Sequence, residues 1–247
     1  MTPDIGVIGR GRFGTYFSAQ LEQVGFRVVT ADLADGPTAW RRDRAEACAC
    51  PIVIYAVPIR ALESVVLDTR DEIGANSVVL DVCSVKVMPC SWLEQHLPGV
   101  RKAGTHPLFG PQSAPVSCAG HRVALCALPT TPGAPPDADA AARVRTMLLQ
   151  LGVNIIECAP AEHDRQVARS QFLTHFIGRG AMAAGIGRVA LSTMSHDALM
   201  DIVDVVGRDS LALFEDMAVF NPMARTARAE FMDALRSIDA RLGALDI

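Results

Sequence analysis

The string Gly9-Arg10-Gly11-Arg12-Phe13-Gly14 constrains this fold more than any other feature of the chain. It closes an apolar run, Ile5 to Gly9, and opens an amphipathic stretch, Phe13 to Val24, so the glycines occupy a strand-to-helix turn. There the first glycine permits the tight bend and the second lets the main chain approach a diphosphate. The third lets helix and strand pack, and the helix N-terminus offers free N–H groups with partial positive charge. A second run, Arg27 to Asp32, ends in an acid 21 residues after Gly11, the spacing of a residue that binds the adenosine ribose of a dinucleotide.

The candidate cofactor contacts are therefore Gly9, Arg10, Gly11, Arg12, Phe13, Gly14 and Asp32, with Val57 and Pro58 at the end of a third run. The Asp32 charge would repel a 2'-phosphate, which favours NAD, with NADP as the alternative. The plainer readings are a glycine turn that binds nothing, Asp32 as a turn residue ahead of Asp35-Gly36, and Arg10 and Arg12 as solvated loop residues.

Further strand-like runs are Ile52 to Pro58, Ser77 to Asp81, Arg101 to Thr105, Val123 to Ala127 and Val153 to Glu157, with amphipathic segments at Ile59 to Ile73 and Ala138 to Leu151. This alternation predicts a doubly wound, mostly parallel α/β sheet of Rossmann type over residues 1–157. The proline-rich stretch 128–139 reads as a loop within it. From 158 to 247 the strand signal disappears, and the pattern predicts an all-helical domain with stops near Gly185, Gly207 and Asn221-Pro222. About ninety residues of helix make a poor independent core, so a homodimer built through the helical half is expected.

Lys plus Arg number 23 against 27 for Asp plus Glu, a formal charge of -4, which argues against nucleic acid or an anionic membrane as partner and for a small molecule. No apolar run reaches the roughly 18 residues of a membrane span and none of signal-peptide length precedes the first strand, so a cytoplasmic protein is expected. The seven cysteines form an odd set without paired C-x-x-C spacing. Reduced thiols serving as small core residues are expected, with neither disulfide nor metal.

Two later strand ends carry polar residues, in Asp81-Val-Cys-Ser-Val-Lys86 and Gly104-Thr-His-Pro-Leu-Phe-Gly-Pro111. Ligands bind at the carboxyl ends of strands in an open α/β sheet, so Ser84 and His106 are the candidate catalytic residues. An isolated histidine is more often a satisfied structural residue. One between a strand end and a proline-fixed turn, near a serine on a second strand end, points to catalysis.

DVCSVK (81–86), THPLFGP (105–111), EHDRQVARSQFLTHFIGR (162–179) and the LFEDM...NP stretch (213–222) resemble the prephenate/arogenate dehydrogenase family, its plant-type branch especially. The resemblance implies oxidative decarboxylation of a cyclohexadienol in tyrosine biosynthesis. His106 would accept the C4 hydroxyl proton while hydride leaves C4, and Ser84 would hold that hydroxyl in line. It also implies substrate contacts from Gln112, Gln171 and His175, the histidine near a carboxylate. Gln171 and His175 are four apart and would share one helix face; the alternative for His175 is a structural helix residue.

One departure from the family pattern concerns an arginine that many microbial relatives carry just upstream of an Asp-Pro or Asp-Ser near position 209; Asp204 stands at that place here. Either Arg208, Arg169 or Arg179 pairs with the ring carboxylate instead, or the pocket holds its anion differently. From His106 to Pro136 there is no acid to meet an ammonium, which favours prephenate over arogenate; a 4-amino analogue remains an alternative. Two other readings stay open. One is a β-hydroxyacid-type dehydrogenase or imine reductase, against which counts the absence of lysine from 161 to 190. The other is a non-catalytic NAD-binding sensor.

Overall fold

The computed structural model describes residues 4–245. In chain order it contains β1 (Ile5–Ile8), α1 (Arg12–Gln23), β2 (Val28–Ala31), α2 (Pro37–Cys48), β3 (Ile52–Tyr55), α3 (Ile59–Thr69), β4 (Val78–Asp81) and α4 (Val87–His96). There follow β5 (Arg101–Pro107), β6 (Arg122–Ala127), α5 (Ala138–Gln150), β7 (Asn154–Glu157), α6 (Pro160–Val167), α7 (Leu173–Ala183), α8 (Met194–Gly207), α9 (Leu211–Phe220) and α10 (Ala224–Gly243). The chain divides into two compact units between His163 and Asp164, six residues beyond the boundary expected at 157, because α6 begins in the first unit.

The first unit is a seven-stranded sheet of order β2-β1-β3-β4-β5-β6-β7. All neighbours are parallel except β5 and β6, where His106 lies opposite Ala124. Strands β1, β3 and β4 (IGVI, IVIY, VVLD) are almost wholly buried, the near-continuous apolar pattern of strands with both faces covered. Phe17 and Leu21 from α1, and Val144, Met147 and Leu148 from α5, join the core over them. Asp137 caps α5 by accepting from the N–H groups of Asp139 and Ala140. This satisfies two of the donors that a helix start leaves free.

Among the described residues the second unit is built of helices joined by loops, with no strand. Its helices begin and end on local signals: Thr193 caps α8, Ser210 caps α9, and α7 ends before Gly185, which has φ of 70°. The stretch Ala168–Phe172 between α6 and α7 is a π-turn, so this helix is not the uniform α-helix that the spacing of Gln171 and His175 assumes. Phe172, Met217 and Ala224 form its small buried cluster, with Phe214 stacked on Phe172 at 5.9 Å. Among the described residues no helix is long and apolar enough to cross a membrane.

Candidate active site

The strand order reverses between β1 and β3, and a cleft opens at their carboxyl ends, lined by Gly9, Gly11, Asp32, Leu33, Val57 and Pro58. This is the switch point where doubly wound sheets bind ligands. The three glycines have separable reasons. Gly9 has φ of 105°, and a Cβ there would lie 2.5 Å from the Ala56 carbonyl oxygen. A Cβ on Gly14 would meet the Gly9 carbonyl oxygen at 2.0 Å. At Gly11, the N-cap of α1, a Cβ would meet nothing within 4 Å. The protein's own packing therefore does not require the second glycine. Close approach of a phosphate to the helix N-terminus would require it.

Asp32 accepts from the Arg10 N–H at 2.5 Å through one oxygen and from the Ala34 N–H at 2.8 Å through the other. It is thus both the cap of a short turn and a fixed carboxylate in the cleft. The Arg10 guanidinium pairs with Asp35, and Arg12 is exposed. The Phe13 ring turns away into a cluster with Phe17 and Phe109, which leaves its main chain to face a dinucleotide.

Ser84 follows the end of β4, and His106 lies within the last residues of the neighbouring parallel strand β5, which runs to Pro107 and so two residues beyond the expected end at Thr105; Asp81 lies opposite Gly104. The Ser84 hydroxyl is buried without a hydrogen-bond partner. His106 is 3% exposed, and its Nδ1 lies 2.9 Å from Nε2 of His163, itself 4% exposed, with the rings inclined at 66°. Burial first, then His163 and the Lys86 charge, push the His106 imidazole well below its usual range. The ring is neutral at ordinary pH, and Nε2 is the nitrogen left for a ligand.

Lys86 is fully buried. It pairs with Asp81 and donates to the Thr105 carbonyl at 2.6 Å, while the Thr105 hydroxyl donates to the Asp81 carbonyl at 2.6 Å. Burial is the largest single influence and pushes the ammonium's pKa down, but Asp81, Cys90 and Cys83 together outweigh it and the net shift is upward. The loop after β5 is fastened to α1. Tyr16 donates to the Ala114 carbonyl at 2.7 Å, and Gln20 accepts from the Cys118 N–H at 2.9 Å and donates to the Val116 carbonyl at 3.3 Å. Gln112 is half-buried in this loop, with its side-chain oxygen over Gly110.

Sequence reasoning assigned no role to His163, Lys86, Tyr16 or Gln20. The pairing of His163 with His106 spans 57 positions, which local pattern cannot reveal.

In the second unit, Gln171 lies in the π-turn and His175 one turn on; Gln171 Oε1 and His175 Nδ1 are both buried without hydrogen-bond partners. His175 Nε2 is 3.6 Å from Asp209. Burial, opposed by Asp209, lowers its pKa. Arg179 donates to the Asp209 and Ser210 carbonyls at 2.7 and 3.2 Å, and Arg169 pairs with Glu230 at 2.5 Å. Asp204 pairs with Arg188 at 2.8 Å. All seven cysteines lie outside any disulfide, six of them buried.

The glycine turn, the fixed acid at the end of β2 and the cleft at the switch point define a dinucleotide-binding α/β protein with a helical second unit. Residues 37–157 match the model of the prephenate dehydrogenase nucleotide-binding domain, and residues 181–245 match that of the TYRAAT1-like C-terminal domain. The chain belongs to the prephenate/arogenate dehydrogenase family, a family of oxidoreductases. It is 28% identical over 237 residues to arogenate dehydrogenase 2, chloroplastic, of Arabidopsis thaliana, an alignment covering 89% of this chain and 64% of that one. It is 25% identical to 4-amino-4-deoxyprephenate dehydrogenase of Streptomyces pristinaespiralis over 89% of this chain and 78% of that one. Among solved structures, prephenate dehydrogenase from Aquifex aeolicus, in complex with hydroxyphenyl propionate and NAD+, superposes with a TM-score of 0.76 at 18% identity, over 99% and 92% of the two chains. Synechocystis arogenate dehydrogenase does so at 0.70 and 21%, over 98% and 92%. These likenesses carry the fold. The chain spans 64%, 54% and 36% of the length of three curated relatives that it matches.

Proposed function

We propose that this chain oxidises and decarboxylates prephenate to 4-hydroxyphenylpyruvate with NAD. The observations that carry the reading are a buried, neutral His106 and a buried, unpartnered Ser84 hydroxyl, held at the carboxyl ends of adjacent strands of a dinucleotide-binding sheet. NAD+, when bound, supplies the hydride acceptor. The open position at Gly11 and the free N–H groups of α1 fit its diphosphate, and Asp32 fits its ribose. Ser84 holds the C4 hydroxyl in line, and His106 Nε2 takes its proton as the C4 carbonyl forms. Carbon dioxide then leaves C1 and the ring becomes aromatic, so the protein's main task is to orient the first step. A positioned base contributes about 10²–10⁴ in rate.

The same reading assigns Gln112, Gln171 and His175 to the substrate's polar groups. A second reading, arogenate, is favoured by Asp209 beside His175, since a carboxylate there would pair with an ammonium. Absorbance of reduced nicotinamide, followed with prephenate or arogenate, each with NAD and with NADP, separates them. Silence in all four mixtures would return the site to the 4-amino analogue or to a sensor.

The helical unit is proposed to form a homodimer. Leu191 and Met194 are 98% and 90% exposed, with Val189, Leu211 and Val219 also open to solvent, more apolar surface than a unit with so small a core leaves bare alone. A monomeric mass by light scattering at micromolar concentration would contradict this.

A further inference from the structure

The geometry points to His163 as the positioning residue of the proposed base: its Nε2 accepts the proton carried by His106 Nδ1. This holds His106 in the one neutral tautomer whose Nε2 has a free electron pair. The inference rests on the reading of His106 as the base.

Two imidazole nitrogens 2.9 Å apart form a hydrogen bond only if one carries a hydrogen and the other does not. If His163 donates, His106 carries its hydrogen on Nε2 and cannot take a proton from an alcohol at that atom. If His163 accepts, Nε2 is basic and faces the alcohol. Three groups decide the electrostatics around His106. His163 stands on α6, where its own N–H donates to the Ala159 carbonyl at 3.0 Å. Lys86 and Asp81 form an ion pair at the end of β4, with the ammonium also on the Thr105 carbonyl. On β6 the residue opposite His106 is Ala124, which carries no charge.

An imidazole partner differs from the carboxylate that orients histidine in a hydrolytic triad. It fixes the tautomer without adding negative charge, so the base stays deprotonated further into acid. In the reaction the hydroxyl proton leaves the substrate oxygen and rests on His106 Nε2. The existing Nδ1–H stays in its hydrogen bond to His163, and no other proton moves.

Nitrogen-15-histidine-labelled protein without ligands, read by two-bond proton–nitrogen correlation spectra, gives the tautomer directly. Nδ1–H on His106 is expected in the wild type and in His163→Gln, whose amide oxygen can still accept. In His163→Leu the preference disappears. In turnover, His163→Leu is expected to lower kcat about tenfold or more with KM changed by no more than about twofold, and His163→Gln to recover most of the loss. Wild-type His106 protonated on Nε2, or an unchanged kcat in His163→Leu, would overturn the inference. The spectrum needs no substrate. Inactivity towards every cyclohexadienol would therefore overturn the proposed function alone, and the wrong tautomer would overturn this inference alone.

Discussion

Lys86 donates to the carbonyl of Thr105 at 2.6 Å, which places a fully buried ammonium against the residue that precedes the proposed base. Its counter-ion, Asp81, is equally buried. Removing one member of such a pair leaves an uncompensated charge at a cost of about 3–5 kcal/mol. Lys86→Met alone should lose that much stability in urea, while Lys86→Met with Asp81→Asn should recover a large part of it. Equal losses in the single and double variants would show that the pair is not coupled.

The glycines of the cofactor turn should separate folding from binding. Gly14→Ala places a methyl group 2.0 Å from a main-chain oxygen and should lower Tm sharply. Gly11→Ala meets open space and should cost no more than about 1 kcal/mol as a poorer helix cap, yet weaken NAD binding about tenfold or more. Calorimetric titration of NAD into both variants checks this. Unaltered affinity in Gly11→Ala would remove the diphosphate from that turn.

Stability should fall in mild acid. Burial is the main cause holding both His106 and His175 below the ordinary histidine value of 6.5. Below that pH the unfolded chain takes up protons that the folded chain refuses, so this contribution is complete above 6.5 and lost as pH falls. The urea midpoint should drop between about pH 7 and 5, with a shallower slope in His106→Asn. Turnover per folded molecule should persist below pH 6.5, because the base is still unprotonated there. A titration of kcat/KM centred on 6.5 would contradict this.

Asp32→Ser keeps an oxygen that can cap the Ala34 N–H but removes the charge facing the ribose. The ratio of kcat/KM with NADP to that with NAD should rise about tenfold or more, roughly 1.4 kcal/mol. An unmoved ratio would place the discrimination at another residue.

Much of the first unit could be read from the sequence, because β1, β3 and β4 are unbroken apolar runs and the glycine turn marks where β1 becomes a helix. The stops at Gly185, Gly207 and Asn221-Pro222 likewise delimit α7, α8 and α9. Helices α2 and α4 gave less signal. The first, PTAWRRDRAEAC, buries only Trp40, Ala47 and Cys48, and the second carries Pro89 within its first turn. Ser84 and His106 could be singled out because one follows the end of β4 and the other lies near the end of β5. What the sequence could not supply is the partner of each buried group. His163, Lys86 and Gln20 act across the fold, and hydrogen bonds between distant residues leave no periodic trace.

The π-turn at Ala168–Phe172 has a consequence for how this chain tolerates change in length. Before it, Asp164 is tied to Asn221, whose amide donates to its carbonyl at 2.9 Å; after it, Gly178 fits against Val206 of α8 so closely that an added Cβ would come within 2.4 Å. The turn takes up one residue more than an α-helix would place between these two fixed points, so a single-codon deletion within it would let the helix run as ordinary α-helix with both anchors still in phase. A second deletion, with no surplus residue left to give up, would turn Gly178 out of its notch by about 100°, and His175 with it.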